Sequence, residues 1–442
     1  TTSKIVSISA SILKQFDANI SIKLDELVFK SLLVKKLIFN AKLNKNRLAI
    51  LKFQIANIAG LSTKLSGNVT AVQDTHGLIN PVFSNLKFSM RGKSLVRALN
   101  FMKIKPMIPI SQLGAVQLFG TLNGNLKTID LLADLSLLGG RFTLNGIFKP
   151  LSIISPVQAQ FSIFHPNIPK LAKKLGSNYN LETTQIGGVN FKGIVKGNST
   201  KMNFSNLSGE IGNIKINGIV AMDLTGKIPQ IDADLKTSTI VIDELMPVQS
   251  VALLNRIFSK YQKYLNQGVV VDRPIIQASY SGLSPSINSR PFVVDSAIKN
   301  TARVARWSNR AINISFLRQF SGDIKLRSKS FRLQKYQVED VDLVAIITNG
   351  VLDLKRLTAS AYDGTIELDG QVVASKTANQ LKTRFKVINV NTGKLLRSIG
   401  TDGFRKGALD IVCEFRTFGR SPREIVNALS GNGTVSVRGL DV

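Results

Sequence analysis

Two stretches of this chain, one near its start and one near its end, can be laid over each other without a gap: Val34 to Gly60 and Val338 to Gly364. Both finish in a strand that reaches glycine. A chain built this way is one unit used several times, so its function is expected to belong to the array. Two further copies of the glycine stand between them, in Leu137 to Gly146 and in Leu207 to Gly218, and a second glycine follows the first in each copy (Gly67, Gly146, Gly218 and Gly370). The spacing gives a unit of roughly 76 residues, with one copy between Gly212 and Gly364 too divergent to recognise. Glycine at such places removes a side chain where a strand must turn or bulge.

The unit reads as strand. Val341, Leu343, Ala345 and Ile347 alternate on one side, followed by Leu352 and Leu354 and then by Ile366 and Leu368, with breaks at Asn349-Gly350 and Asp363-Gly364. Period-two alternation broken by Asn-Gly and Asp-Gly predicts antiparallel hairpins with one apolar face. Short amphipathic helices are expected between sets of strands, at Asn391 to Gly400, at Pro169 to Gly176 and at Ser94 to Met102. Lys or Arg ahead of the closing glycine suits the negative end of the first two. The fold class is therefore mainly β with short amphipathic helices: repeated antiparallel β-hairpin units forming an extended curled sheet or trough. Four regions are expected: an N-terminal β repeat over 1–90, middle β repeats with short helices over 91–240, a helical and irregular insert over 241–300, and a C-terminal β region over 301–442.

Charge is the next strong signal. The chain has 58 Lys and Arg against 28 Asp and Glu, a net +30, which predicts attraction to polyanions: nucleic acid, anionic lipid headgroups or lipopolysaccharide phosphates. Its densest block runs from Lys299 to Lys335, opposed by Asp323 alone. On a helix Lys299, Arg303, Arg306 and Arg310 form one stripe beside Ile298, Ala302 and Ala305, a candidate contact for an anionic headgroup or membrane surface. The blander reading is a solvated face in a protein that is basic everywhere. No apolar run reaches the roughly 18 residues of a spanning helix. The chain begins at Thr1 rather than Met, which is read as a processed or trimmed start. The single Cys413 excludes an internal disulfide framework and reads as a strand residue rather than a nucleophile.

Catalytic signatures are scarce, so no enzyme activity, cofactor or metal is expected. The two histidines, His76 and His165, stand in loop-like contexts, and no Cys or carboxylate cluster has metal-ligand spacing. Gly92-Lys93-Ser94 resembles the end of a phosphate-binding loop, but Lys87 occupies the place of its upstream glycine. Gly431-Asn432-Gly433 reads as a turn. Nucleic-acid modules leave no trace, so the charge is not assigned to nucleic acid.

In the C-terminal third the residues carry a family resemblance. Trp307 to Asn313, Val338-Glu339-Asp340-Val341, Gly350 to Leu354, Ala361-Tyr362-Asp363-Gly364, Lys394-Leu395-Leu396, Phe418-Gly419-Arg420-Ser421-Pro422 and Leu429-Ser430-Gly431-Asn432-Gly433 succeed one another as in the C-terminal region of AsmA family proteins, which this chain resembles. The N-terminal repeat is similar to the same family more weakly. The resemblance implies a periplasmic protein of a Gram-negative envelope, tethered to the inner membrane by an N-terminal helix ahead of Thr1, with a role in outer-membrane biogenesis and phospholipid or another anionic envelope lipid as partner. Larger relatives look like bridge-like lipid carriers.

Joined to the strand pattern, the resemblance supplies a mechanism in which stacked one-sided sheets make a continuous apolar floor and lipid headgroups ride in water. Val341, Leu343, Ala345, Ile347, Leu352, Leu354, Ile366 and Leu368 are the candidate groove. Three other readings stand beside it. The same residues suit an ordinary core packed on the helices. The chain also suits a periplasmic scaffold that assists outer-membrane assembly components by strand addition, without lipid carriage. Alternating segments fit a transmembrane β-barrel as well, against which the helices and the lysines on both strand faces argue.

Overall fold

The computed structural model describes residues 17–29, 32–73, 79–101, 113–152, 156–174, 186–245, 309, 311–375, 377–398 and 406–441. It divides into two units, Thr1–Ser250 and Val251–Val442.

The first unit runs β1 (Asp17–Phe29), β2 (Leu32–Asn44), β3 (Arg47–Ile58), β4 (Leu61–Gln73), β5 (Ile79–Gly92), α1 (Val96–Phe101), β6 (Val116–Asn125), β7 (Thr128–Leu137), β8 (Gly140–Phe148), β9 (Val157–His165), α2 (Ile168–Lys174), β10 (Val189–Gly197), β11 (Lys201–Ile211), β12 (Ile214–Asp223), β13 (Gln230–Thr237), β14 (Ile240–Val241) and α3 (Ile242–Leu245). Each strand from β1 to β12 pairs antiparallel with the next, a meander without crossovers. The second unit opens with a 3-10 turn, Ser315–Arg318, and continues as β15 (Gly322–Leu333), β16 (Tyr336–Thr348), β17 (Val351–Ala361), β18 (Gly364–Val373), β19 (Asn379–Asn391), α4 (Thr392–Ser398), β20 (Lys406–Gly419), α5 (Pro422–Asn427) and β21 (Ser430–Asp441). These seven strands also pair antiparallel in sequence order.

The repeat is four strands and a short helix. Its marker glycines Gly60, Gly140, Gly212 and Gly364 fall at or beside the turns β3–β4, β7–β8, β11–β12 and β17–β18. The ungapped match between the chain's two ends extends to the backbone. Left-handed residues recur at the same interval as Lys36 and Asp340, Lys45 and Asn349, Ala59 and Asp363, and Asn85 and Asn389. The ladders β2–β3 and β16–β17 shift register at the same point, between Asn40 and Ala41 and between Val344 and Ala345. The Asn85 amide donates to Asn123 Oδ1 at 2.7 Å and the Asn389 amide to Asp410 Oδ1 at 2.8 Å. Bulges bend a strand and tighten its twist, so each repeat carries its own curvature.

The second glycine of each repeat shows which way the sheet bends. A Cβ on Gly67, Gly146, Gly218 or Gly370 would stand 2.4, 2.4, 2.1 and 2.4 Å from the next strand's backbone, at Asn85, Gln158, Asp234 and Lys382. By register Gly67 shares a face with Ile50, Gly146 with Ala159, and Gly370 with Leu354. That is the apolar face, and crowding between neighbouring strands belongs on the inside of a bend, so each sheet curls toward its apolar side. Gly431 and Gly433 follow the same rule. They lie inside β21 rather than in the turn expected for Gly431-Asn432-Gly433, where a Cβ would meet β20 at Glu414 O (2.2 Å) and Cys413 Sγ (2.8 Å).

Helices stand where the pattern placed them. In α2 and α4 the preceding asparagine caps the helix: Asn167 Oδ1 accepts from the Lys170 amide at 2.8 Å and Asn391 Oδ1 from the Lys394 amide at 3.0 Å. Both are fastened to the repeat turn, Lys174 Nζ donating to Leu138 O at 3.1 Å and Lys394 Nζ pairing with Asp363 at 2.6 Å. Gly176, Gly400 and the missing repeat copy lie outside the described residues, as does nearly all of the expected insert over 241–300.

Candidate functional site

All eight candidate groove residues lie on one face of the second unit. Register aligns Leu326, Leu343, Leu357, Leu368, Phe385 and Cys413 in one row across six strands, and Ile324, Ala345, Leu354, Gly370, Thr383 and Phe415 in the next. Ile366 stands in a third row with Ala359, Val387 and Ile411, at the Val341 end of the strands, and Ile347 with Leu352 and Val372 in a fourth. Val341, Ala345 and Ile347 are buried, at 2, 5 and 6% exposure, and the other five are half-buried. Among the described residues the elements packed on this unit's strands are α4, α5 and the 3-10 turn, each at a strand end. Among the described elements none lies over the mid-face rows.

One rim is closed. Leu317 of the 3-10 turn, at 3% exposure, packs with Ile347 and Ala374, and Ile324, Leu352 and Val372 surround them. Ile347 and Leu352 are thus core under a plug, while Leu343, Leu354, Ile366 and Leu368 lie half-buried on the floor beyond that cluster. Arg318 fixes the plug by donating to Ala374 O at 3.2 Å. Sequence pattern alone did not single out Leu317, because a four-residue turn has no periodicity.

The first unit repeats the floor. Ile22, Phe39, Phe53, Leu65, Phe88, Gly120, Ala133, Leu144 and Phe161 form one row across β1 to β9. Phe39 and Phe53 meet edge to face with centroids 6.1 Å apart.

The opposite faces of the two units differ. In the second unit cations and carboxylates alternate across strands: Arg356 with Asp342 (3.0 Å), Lys386 with Glu367 (3.3 Å) and Lys382 with Glu414 (3.6 Å). In the first unit the side chains pointing away from the floor on β3, β4 and β5 include Lys52, Lys64 and Lys87, which have no ion pair among the described residues. Asp134 of β7, at 8% exposure, is taken by Arg141, and its carboxylate holds that guanidinium above the ordinary arginine range by hydrogen bond and by charge.

His165 and Cys413 both stand in strands. His165 is buried at the end of β9 rather than in a loop. Its Nδ1 accepts from the Asn167 amide at 3.1 Å, which leaves Nε2 to donate to Leu138 O at 3.3 Å. The ring holds the entry to α2 against the β7–β8 turn. Cys413 is half-buried on the floor of β20. Burial, with Tyr362 beside it, pushes the Tyr336 hydroxyl up. Among the described residues no group of His, Cys, Asp and Glu could hold a metal, and no helix is long and apolar enough to cross a membrane. Lys299, Arg303, Arg306 and Arg310 lie outside the described residues, as does His76.

A family model described as AsmA family matches residues 114–438. The match extends well N-terminal of the motifs in the last third and takes in both units. No curated protein and no solved structure matches the chain.

Proposed function

Because this chain belongs to the AsmA family, which associates it with the bacterial envelope, we propose that it is a non-enzymatic lipid-handling protein that shields phospholipid acyl chains along the concave floor of its sheets. The observation that supports this reading is the floor itself. Rows of Leu, Ile and Phe cross strand after strand, and the described elements that cover them do so at the rims. An ordinary core would carry a second layer over the mid-strand rows. A curled one-sided sheet leaves room for an acyl chain to take that layer's place.

Chemistry of this kind needs no reacting group. Each methylene removed from water contributes about 0.8 kcal/mol, so two acyl chains bind readily to a floor without polar anchors. A floor of interchangeable aliphatic side chains offers no fixed register, which permits sliding along it. On this reading the protein works in the periplasm, held at the inner membrane, and supports outer-membrane biogenesis.

The test is mass spectrometry of lipids extracted from protein purified without detergent, beside an equally basic control protein. Stoichiometric phospholipid absent from the control is the expected result. A folded, lipid-free protein overturns the carrier reading and leaves the assembly scaffold, which binds client strands, in its place.

A further inference from the structure

The back of the first unit carries a feature that lipid carriage on the floor does not use. Between Glu26 and Asp130 the sequence has one acidic residue, Asp74, so β2 to β6 form a sheet without a carboxylate. Register sets Lys64 opposite Gln54 and Ser89, and Ser66 opposite Lys87, which makes Lys64 and Lys87 diagonal neighbours roughly 7–8 Å apart at the backbone. With Lys52 they line a shallow depression of about 430 Å³ whose walls include Leu51, Ser66 and Ser89. None of the three lysines has a hydrogen-bond or ion-pair partner among the described residues. A comparable depression on the second unit contains Lys382 and Arg416, of which Lys382 is paired with Glu414 at 3.6 Å.

Large apolar side chains stand bare beside these ammonium groups. Leu51 is 57% exposed, Phe119 43% and Leu132 51%. Phe119 lies opposite Ser89, and Leu132 opposite Thr121, which lies opposite Lys87, so both point away from the floor on the lysine side, and Leu51 lines the lysine depression. Adjacent like charges repel, and exposed Phe and Leu gain nothing from water. A surface that is at once negatively charged and apolar just beneath its charges answers both.

We propose that this back face, centred on Lys52, Lys64 and Lys87 with Leu51, Phe119 and Leu132, docks on an anionic phospholipid membrane surface. The ammonium groups meet headgroup phosphates while the three apolar side chains enter the boundary below them. This contact is independent of cargo on the opposite face, so either can fail alone.

Cosedimentation of the full chain with vesicles tests it, comparing phosphatidylcholine alone with phosphatidylcholine containing about a third phosphatidylglycerol. Wild-type protein is expected to bind the anionic vesicles selectively, and Lys52→Gln/Lys64→Gln/Lys87→Gln to bind them about a hundredfold more weakly. Its circular dichroism and copurifying lipid should be unchanged. A second triple variant, Lys192→Gln/Lys196→Gln/Lys215→Gln, removes the same charge from β10 and β12 and should lose only about threefold. Leu51→Ser/Phe119→Ser should weaken the binding that survives high salt. Equal losses in the two lysine variants would reduce the effect to net charge and overturn the assignment. So would wild-type binding that ignores phosphatidylglycerol, or binding of soluble polyphosphate with none to vesicles.

Discussion

Leu368→Glu puts the floor to a direct test. Leu368 is half-buried in the row from Leu326 to Cys413, where six strands at about 4.8 Å spacing make an apolar path of about 24 Å. A carboxylate at its middle keeps its water, and that water displaces the ligand over about half a strand spacing on each side. On the order of four methylenes then lose their cover at about 0.8 kcal/mol each, which comes to about 3 kcal/mol, or about a hundredfold in affinity. The assay is displacement of a fluorescent phospholipid from detergent-free protein, read together with the copurified lipid per chain. Leu368→Met keeps the site apolar and should bind within about threefold of wild type. Circular dichroism and a melting curve establish that the charged variant is folded. A folded Leu368→Glu protein with wild-type affinity would show that acyl chains do not lie on this floor.

Other outcomes follow from single features. Gly370→Ala forces a methyl to within 2.4 Å of Lys382 O, and denaturant unfolding should show a loss of about 1–3 kcal/mol; no loss would mean that the sheet is not tightly curled there. Leu317→Ala empties the plug over Ile347 and Ala374 and should cost about 2–4 kcal/mol in the second unit, while increased lipid uptake at that rim would add that the plug is a stop. Asp223 is held down to about 2 by hydrogen bonds from the Thr225 hydroxyl and amide, then from Lys201. Its pKa is lower folded than unfolded, so its contribution is present above about 3.8 and is lost as pH falls through about 2; a carboxyl-carbon NMR titration with its midpoint near 3.8 would contradict that network.

The face of each strand was readable because alternation is a local property that pairing does not alter. Val341, Leu343, Ala345 and Ile347 had to share a side, and the turn at Asn349-Gly350 set the direction of the next strand. The curl was not readable in the same way. It depends on left-handed residues such as Lys36 and Tyr362, whose types do not announce that conformation, and on glycines whose role appears only when the neighbouring strand is in place. The misreading of Gly431-Asn432-Gly433 has this cause: Gly-Asn-Gly is turn chemistry in isolation, but against β20 it is a strand with no room for side chains. Half of the site was therefore local pattern and half was packing. The lysines of β3 to β5 are a third case, since residues far apart in sequence become one patch only through register.

Placing a bulge at the same point of distant repeats, as between Asn40 and Ala41 and between Val344 and Ala345, or at Asn85 and Asn389, makes the curvature of the sheet a property of one module. Strand number and curvature are then separate variables. Inserting or removing a whole module changes how many strands the floor has and leaves its curvature alone, so on the proposed reading the apolar path offered to a lipid is set by counting repeats.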